Sequence, residues 1–213
     1  MITTNEILNL ILSQKILPLF SHEDLAVNKA MIKASYDAGV RCFEFTNRRP
    51  SAFDNFMKLK QYCDKELPGM ILGCGTIKNI FDAEDFTAAG ADFLVSPVIS
   101  EDLIDFSEYK NIPWIPGCAT ASEIAMAAEA EISLIKIFPA NLLGGISFIK
   151  TMKEIFPEIK MMATGGIKAD ADEIKSWLEN GADAVGLGSL LFKNDDTEII
   201  KTTLADLFSK LQS

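Results

Sequence analysis

The sequence predicts a (β/α)8 barrel, the TIM-barrel fold, with an extra helix in front of the first strand. Three observations carry this. Short apolar runs alternate with amphipathic helical stretches eight times across 213 residues, with no linker or low-complexity break. Three joints, "DAGVRCFEF", "AAGADFLVS" and "ENGADAVGL", each end a helix at glycine and enter a strand within a few residues. Glycine takes the left-handed conformation at a helix end at low cost. Polar and glycine residues also gather at the strand ends, where barrels carry their chemistry. A doubly wound open sheet would have fewer strands and a glycine-rich loop after the first one, and "ILPLFSHED" has none. Residues 1–213 are therefore read as one barrel domain.

The elements follow in order. Thr3 with Glu6 forms the pattern of a capping box and opens a helix over 4–13. The first strand is 16–20, and Ser21 is expected to cap a helix running to about Asp37, stopped by Gly39. The second strand is 41–46, and Pro50 opens a helix to about Lys65. The next strands are 70–76, 92–97 and 113–117, followed by helices over 79–88, 100–109 and 121–129. Strands at 134–139, 160–166 and 184–189 alternate with helices at 146–155, 171–180 and 195–211.

Composition narrows the function. Apolar residues make up 48% and charged residues 23%, the mix of an ordinary globular protein. No stretch of about 18 uncharged apolar residues occurs, so no membrane span is expected. The N-terminus lacks a basic leading region and a small-residue cleavage site, so a cytoplasmic location is the expectation. A formal net charge of −10 argues against nucleic acid or anionic membrane as a partner. Small anions remain compatible, because local donors outweigh a distant field. Cys42, Cys63, Cys74 and Cys118 show no zinc-ligand spacing and are read as buried reduced thiols. His22 is the single histidine, which argues against a histidine metal centre and a Ser–His triad.

Period-two alternation sharpens the strand ends. Cys42, Glu44 and Thr46 share one face, with Phe43 and Phe45 on the other. Leu134, Lys136 and Phe138 share a face, with Ile135 and Ile137 opposite. If the phenylalanines and isoleucines face the helices, Glu44 and Lys136 both point into an apolar tube. A buried salt bridge there stabilises little relative to apolar replacements, which favours a functional lysine. Apolar surroundings favour the neutral amine, the form that attacks a carbonyl, and Glu44 suits a proton shuttle. "TGGI" and "GLGS" end the seventh and eighth strands with Gly165, Gly166, Gly188 and Ser189, in the usual phosphate-cradling place of barrels. Arg48 or Arg49 can offer a planar fork to a carboxylate, and Thr76 a hydroxyl.

In order, "FEFTNRR", "GCGT", "SP", "IPG", "IKIFPA", "TGGI" and "GLGS" resemble the 2-keto-3-deoxy-6-phosphogluconate (KDPG)/4-hydroxy-2-oxoglutarate (KHG) aldolase family from about residue 16 to 192. The resemblance implies a class I aldolase without metal or cofactor, a barrel fold and a homotrimer. It implies that Lys136 is the Schiff-base lysine and Glu44 the general acid/base. It places Arg48 and Thr76 on the pyruvyl carboxylate, Pro97, Phe138 and Thr164 around the pyruvyl pocket, and Gly165, Gly166, Gly188 and Ser189 on phosphate. The substrates implied are 2-keto acids and aldehydes: KDPG giving pyruvate and glyceraldehyde 3-phosphate, or 4-hydroxy-2-oxoglutarate giving pyruvate and glyoxylate. Many members carry Glu after "FPA", Gly after "SP" and Thr or Ser after the motif arginine; this chain has Asn141, Val98 and Arg49. These loops could touch the aldehyde end, so a 2-keto-3-deoxy-6-phosphogalactonate aldolase is the nearest alternative. A non-catalytic phosphate-sugar-binding barrel would need a broken Lys/Glu pair, and a phosphate-barrel isomerase would not need this lysine.

Overall fold

A computed structural model describes residues 3–193 and 196–211. Helix α1 (Thr4–Gln14) opens with the expected capping box: Glu6 N–H donates to Thr3 Oγ1 at 3.3 Å, and Thr3 N–H to Glu6 Oε2 at 2.7 Å. The chain then runs β1 (Ile16–Phe20), α2 (Leu25–Asp37), β2 (Cys42–Thr46), α3 (Ala52–Glu66), β3 (Ile71–Gly75), α4 (Ile80–Ala88), β4 (Leu94–Val95) and α5 (Glu101–Lys110). It continues β5 (Trp114–Ile115), β6 (Gly117–Cys118), α6 (Ala121–Glu129), β7 (Leu134–Ile137), α7 (Ile146–Ile155), β8 (Lys160–Thr164), α8 (Ala171–Glu179), β9 (Ala184–Leu187) and α9 (Thr197–Leu211). All strand pairs are parallel, in the order β5-β4-β3-β2-β1-β9-β8-β7-β6. Since β5 and β6 are successive pieces of chain, this is a (β/α)8 barrel, not an open doubly wound sheet.

Four expectations need correction. The fifth strand breaks at Pro116, which has no N–H for a ladder bond. The fourth is only Leu94–Val95 rather than 92–97. Asp24, not Ser21, caps α2, its side chain accepting from Ala26 N–H at 2.7 Å. Pro50 lies in a turn before α3, which starts at Ala52. The expected start of the last helix at 195 lies outside the described residues.

The repeated glycine joints share one geometry. Gly39, Gly90 and Gly181 have φ of 104°, 91° and 106°. In each, the glycine N–H and the next N–H return to helix carbonyls: Gly39 to Tyr36 and Val40 to Ser35, Gly90 to Thr87 and Ala91 to Phe86, Gly181 to Leu178 and Ala182 to Trp177. This is the Schellman pattern. The two Gly-Ala-Asp copies go further. Asp92 Oδ2 accepts from Leu72 N–H and pairs with Lys60, while Asp183 Oδ2 accepts from Met161 N–H and pairs with Lys153.

Alternation along the strands separates two apolar layers. Phe43, Phe45, Ile135 and Ile137 pack with the helices, whereas Leu17, Cys42, Phe93, Val95, Ile115, Leu134, Met162 and Ala184 fill the barrel. Ile7, Leu8 and Ile11 of α1 belong to that interior cluster and plug the end where the strands begin. The four cysteines are buried and unpaired. No helix among the described residues is long and apolar enough to cross a membrane.

Candidate active site

Glu44 on β2 and Lys136 on β7 point inward from opposite sides of the ring. Lys136 Nζ stands 3.8 Å from Glu44 Oε1, and the two side chains are 4% and 1% exposed. Neighbouring glycines create the room. Glu44's carboxyl occupies the space a Cβ on Gly75 would need, Thr164 that of Gly186, and the Phe93 ring that of Gly73. The Lys136 N–H donates to Pro116 O at 2.7 Å, anchoring the lysine backbone where the fifth strand breaks.

Burial dominates the electrostatics of this pair. It pulls the Lys136 amine below its ordinary value of 10.5, while Glu44 pulls it back up and Arg48 adds to the lowering. Burial also pushes Glu44 above 4.5, with Lys136 and Arg48 opposing. Both Glu44 oxygens and Thr164 Oγ1 are buried without a hydrogen-bond partner. An unsolvated carboxylate is costly there, so the pair is biased towards a free amine beside a carboxylic acid. That is a nucleophile beside a proton donor. Lys136 Nζ also lies 5.0 Å from the Phe138 ring centroid.

Above the pair, a cavity of about 140 Å³ opens between residues 164–167 and 186–190, closed by Leu19, Arg48 and Phe138. Gly165, Gly166, Gly188 and Ser189 all line it, as do Thr164, Phe138 and Arg48. Gly165 and Gly166 have φ of 107° and 73°, a backbone that side chains rarely tolerate. Arg48 is exposed and its Nε donates to Thr76 Oγ1 at 3.4 Å. Thr76 has φ of 65°, unusual for a β-branched residue. Such strain concentrates at functional sites. Thr76 therefore meets the mouth through Arg48 rather than lining this cavity. Pro97 does not line it either; its backbone covers Gly117, the register partner of Lys136. Arg49 is exposed and pairs with Glu23 at 3.4 Å. Among the described residues no group of three or more His, Cys, Asp or Glu is arranged to hold a metal ion.

Sequence reasoning missed the inward glycines as makers of space. The signal was present: Gly73, Gly75, Gly186 and Gly188 alternate at inward positions in "LGCGT" and "VGLGS". It also read Ser21 only as a helix cap, whereas its Oγ lies 2.7 Å from Thr46 Oγ1.

Comparison with known proteins fits this geometry. The family model for KDPG and KHG aldolase matches residues 7–206. A 2-dehydro-3-deoxy-phosphogluconate aldolase of Dickeya dadantii is 34% identical over 161 residues, 76% of this chain and 70% of the relative. One from Treponema pallidum is 32% identical over 153 residues, 72% of this chain and 71% of the relative. The KDPG aldolase structure of Zymomonas mobilis with 3-phosphoglycerate superposes with TM-score 0.86 at 25% identity, covering 97% of each chain. The Legionella pneumophila KDPG aldolase, with pyruvate captured as a covalent carbinolamine, superposes with TM-score 0.85 at 25% identity over 96% of this chain and 98% of that one. With the matched family model spanning nearly the whole barrel, this chain belongs to the KDPG and KHG aldolase family.

Proposed function

We propose that this protein is a class I aldolase that cleaves KDPG to pyruvate and glyceraldehyde 3-phosphate, 4-hydroxy-2-oxoglutarate to pyruvate and glyoxylate, or both. The observation that carries it is the buried Lys136 amine, held 3.8 Å from the Glu44 carboxyl, with both groups biased towards their neutral forms. The amine adds to the C2 ketone, and Glu44 gives a proton to the departing hydroxyl, so that water leaves an iminium. Glu44, now a carboxylate, takes the C4 hydroxyl proton directly or through water. The C3–C4 pair then moves into the iminium, giving an enamine and releasing the aldehyde. Protonation at C3 and hydrolysis free pyruvate and the lysine.

Arg48 and Thr76 hold the pyruvyl carboxylate, a charge-assisted contact that fixes the ketone over the amine. Pro97, Phe138 and Thr164 bound the pyruvyl pocket. Gly165, Gly166, Gly188 and Ser189 cradle the phosphate with backbone N–H groups and one hydroxyl. The chain, 1–213, acts as one barrel domain, assembled as a homotrimer in the cytoplasm. Small-angle scattering showing a particle of three chain masses supports the assembly, and a monomer overturns it.

Borohydride reduction with pyruvate, followed by peptide mass mapping, tests the chemistry. A pyruvyl adduct on Lys136 is the expected result. A folded protein with no adduct overturns the aldolase and leaves a phosphate-binding barrel.

A further inference from the structure

Beside the glycine cradle lies a second lobe of the mouth, about 410 Å³, lined by Leu19, Phe20, Ser21, Thr46, Arg48, Arg49, Ser189 and Phe192. The two lobes share the wall Leu19, Arg48 and Ser189. At its inner side two hydroxyls meet, Ser21 Oγ and Thr46 Oγ1, 2.7 Å apart. Thr46 is 3% exposed and is the next inward position after Glu44 on β2. Each hydroxyl has one donor and two acceptor sites, so their mutual bond leaves one proton and several lone pairs for a ligand.

The loop presenting Ser21 is held with unusual thoroughness. Asn28, 2% exposed on α2, accepts from His22 N–H at 2.8 Å and donates to the carbonyls of His22 at 2.8 Å and Asp24 at 3.2 Å. Asn55, 6% exposed on α3, donates to the carbonyls of His22 at 3.2 Å and Glu23 at 2.8 Å. Burying amides costs free energy unless they are hydrogen-bonded, and these two bond chiefly to the backbone of this one loop. Two helices thus fix Ser21 against Thr46.

We propose that Ser21 and Thr46 form a hydroxyl-reading subsite that selects aldehydes bearing a hydroxyl on the carbon next to the carbonyl. This deepens the aldolase reading above and rests on it. A substrate joined to Lys136 at C2 and seated in the cradle at its phosphate must cross the shared wall at its middle carbons. Besides Arg48, Thr164, Ser189 and the glycines, the cradle side of that crossing carries Leu19, Phe138, Ile167 and Leu190, and Arg48 is engaged by the carboxylate. Thr164 turns its hydroxyl into the space over Gly186, and in the aldolase reading Ser189 serves the phosphate. The C5 hydroxyl of a phosphorylated six-carbon acid therefore faces the second lobe, where the Ser21–Thr46 pair can donate to it and accept from it. The same hydroxyl is C2 of glyceraldehyde 3-phosphate in the reverse addition.

The test is aldol addition of pyruvate to two phosphorylated aldehydes, glyceraldehyde 3-phosphate and 3-oxopropyl phosphate, which differ only in that hydroxyl. The unsubstituted protein should favour the hydroxylated aldehyde in kcat/KM. Ser21→Ala should lower the ratio between the two aldehydes roughly five- to tenfold, the worth of one partly exposed hydrogen bond. Thr46→Val, which keeps the shape, should lower it in the same direction. Equal losses on both aldehydes would mean the pair only supports the fold, and no preference in the unsubstituted protein would mean there is no such reading; either overturns the proposal. Pyruvate labelling of Lys136, run in parallel, separates the two levels. Without labelling the aldolase reading falls and takes this proposal with it. With labelling and an unchanged ratio, this proposal alone falls.

Discussion

The carboxyl of Glu44 stands where the side chain of Gly75 would begin. The glycine is thus part of the acid's seat, and any Cβ there must displace the acid or the strand. Gly75→Ala is expected to cut turnover about a hundredfold, since small misplacements of reacting groups cost that much. It should also lower stability by roughly 1–3 kcal/mol, the usual cost of overpacking. Steady-state rates and thermal unfolding measured together check both effects; an alanine variant with full activity would show that the seat is not needed.

The Lys136 amine should label with pyruvate in proportion to its unprotonated fraction. Burial lowers its pKa, so the labelling rate should rise with pH and level off below the ordinary 10.5. Once ionised at higher pH, Glu44 raises that pKa, so Glu44→Gln should move the plateau to lower pH. The same variant should slow turnover about 10²–10⁴-fold through loss of proton transfer. Single-turnover trapping across pH measures the first effect, and a plateau that moves upward contradicts the charge argument.

The two groups should act on stability with opposite pH dependence. For Lys136 the folded pKa lies below the unfolded value, so the unfolded chain binds more protons and this group's contribution improves as pH rises towards 10.5. For Glu44 the folded pKa lies above 4.5, so its contribution is best below 4.5 and is lost as pH rises through the folded value. The double variant Glu44→Gln/Lys136→Met removes both penalties. It should be inactive and more stable at neutral pH by about 1–4 kcal/mol, an increase in Tm of about 2–4 °C per kcal/mol. Calorimetry decides this, and a lower Tm would make the pair structural.

Alternation in "RCFEF" and "LIKIF" was enough to place Glu44 and Lys136 inside the barrel, because a strand's two faces follow from period two alone. The glycine joints were legible for a similar reason: a helix end needs a left-handed residue whatever surrounds it. The errors fell where one local signal competed with another. Ser21 looked like a cap, but Asp24 sits closer to the helix and leaves Ser21 free to meet Thr46. Pro116 sat inside an apolar run whose hydrophobicity hid the missing N–H. The role of Gly75 depends on a neighbouring strand's side chain, and no spacing within one segment encodes that.

The N-terminal plug makes a stability prediction independent of chemistry. Ile11 is fully buried in the cluster that fills the barrel. Ile11→Ala should cost roughly 2–5 kcal/mol, the range for emptying such a site. Lys136 labelling should survive below the lowered Tm, since Ile11 plugs the end of the barrel where the strands begin. Denaturant unfolding and labelling on the same sample check the separation.

The hydrogen-bonded ring, broken at Pro116 in the fifth strand, is unevenly stitched. The register holds one residue pair at β3·β4 and two each at β4·β5, β6·β7 and β1·β2, while β2 and β3 share five. Backbone bonds still bridge the short strands, as from Asp92 N–H to Leu72 O and from Ser96 N–H to Ile115 O, and Lys136 is held on both sides, by its pairing with Met162 on β8 and by the 2.7 Å bond from its N–H to the Pro116 carbonyl. The lysine proposed to carry the iminium thus has its backbone tied to both neighbouring strands, so the change from tetrahedral adduct to planar iminium falls to the rotors of its side chain.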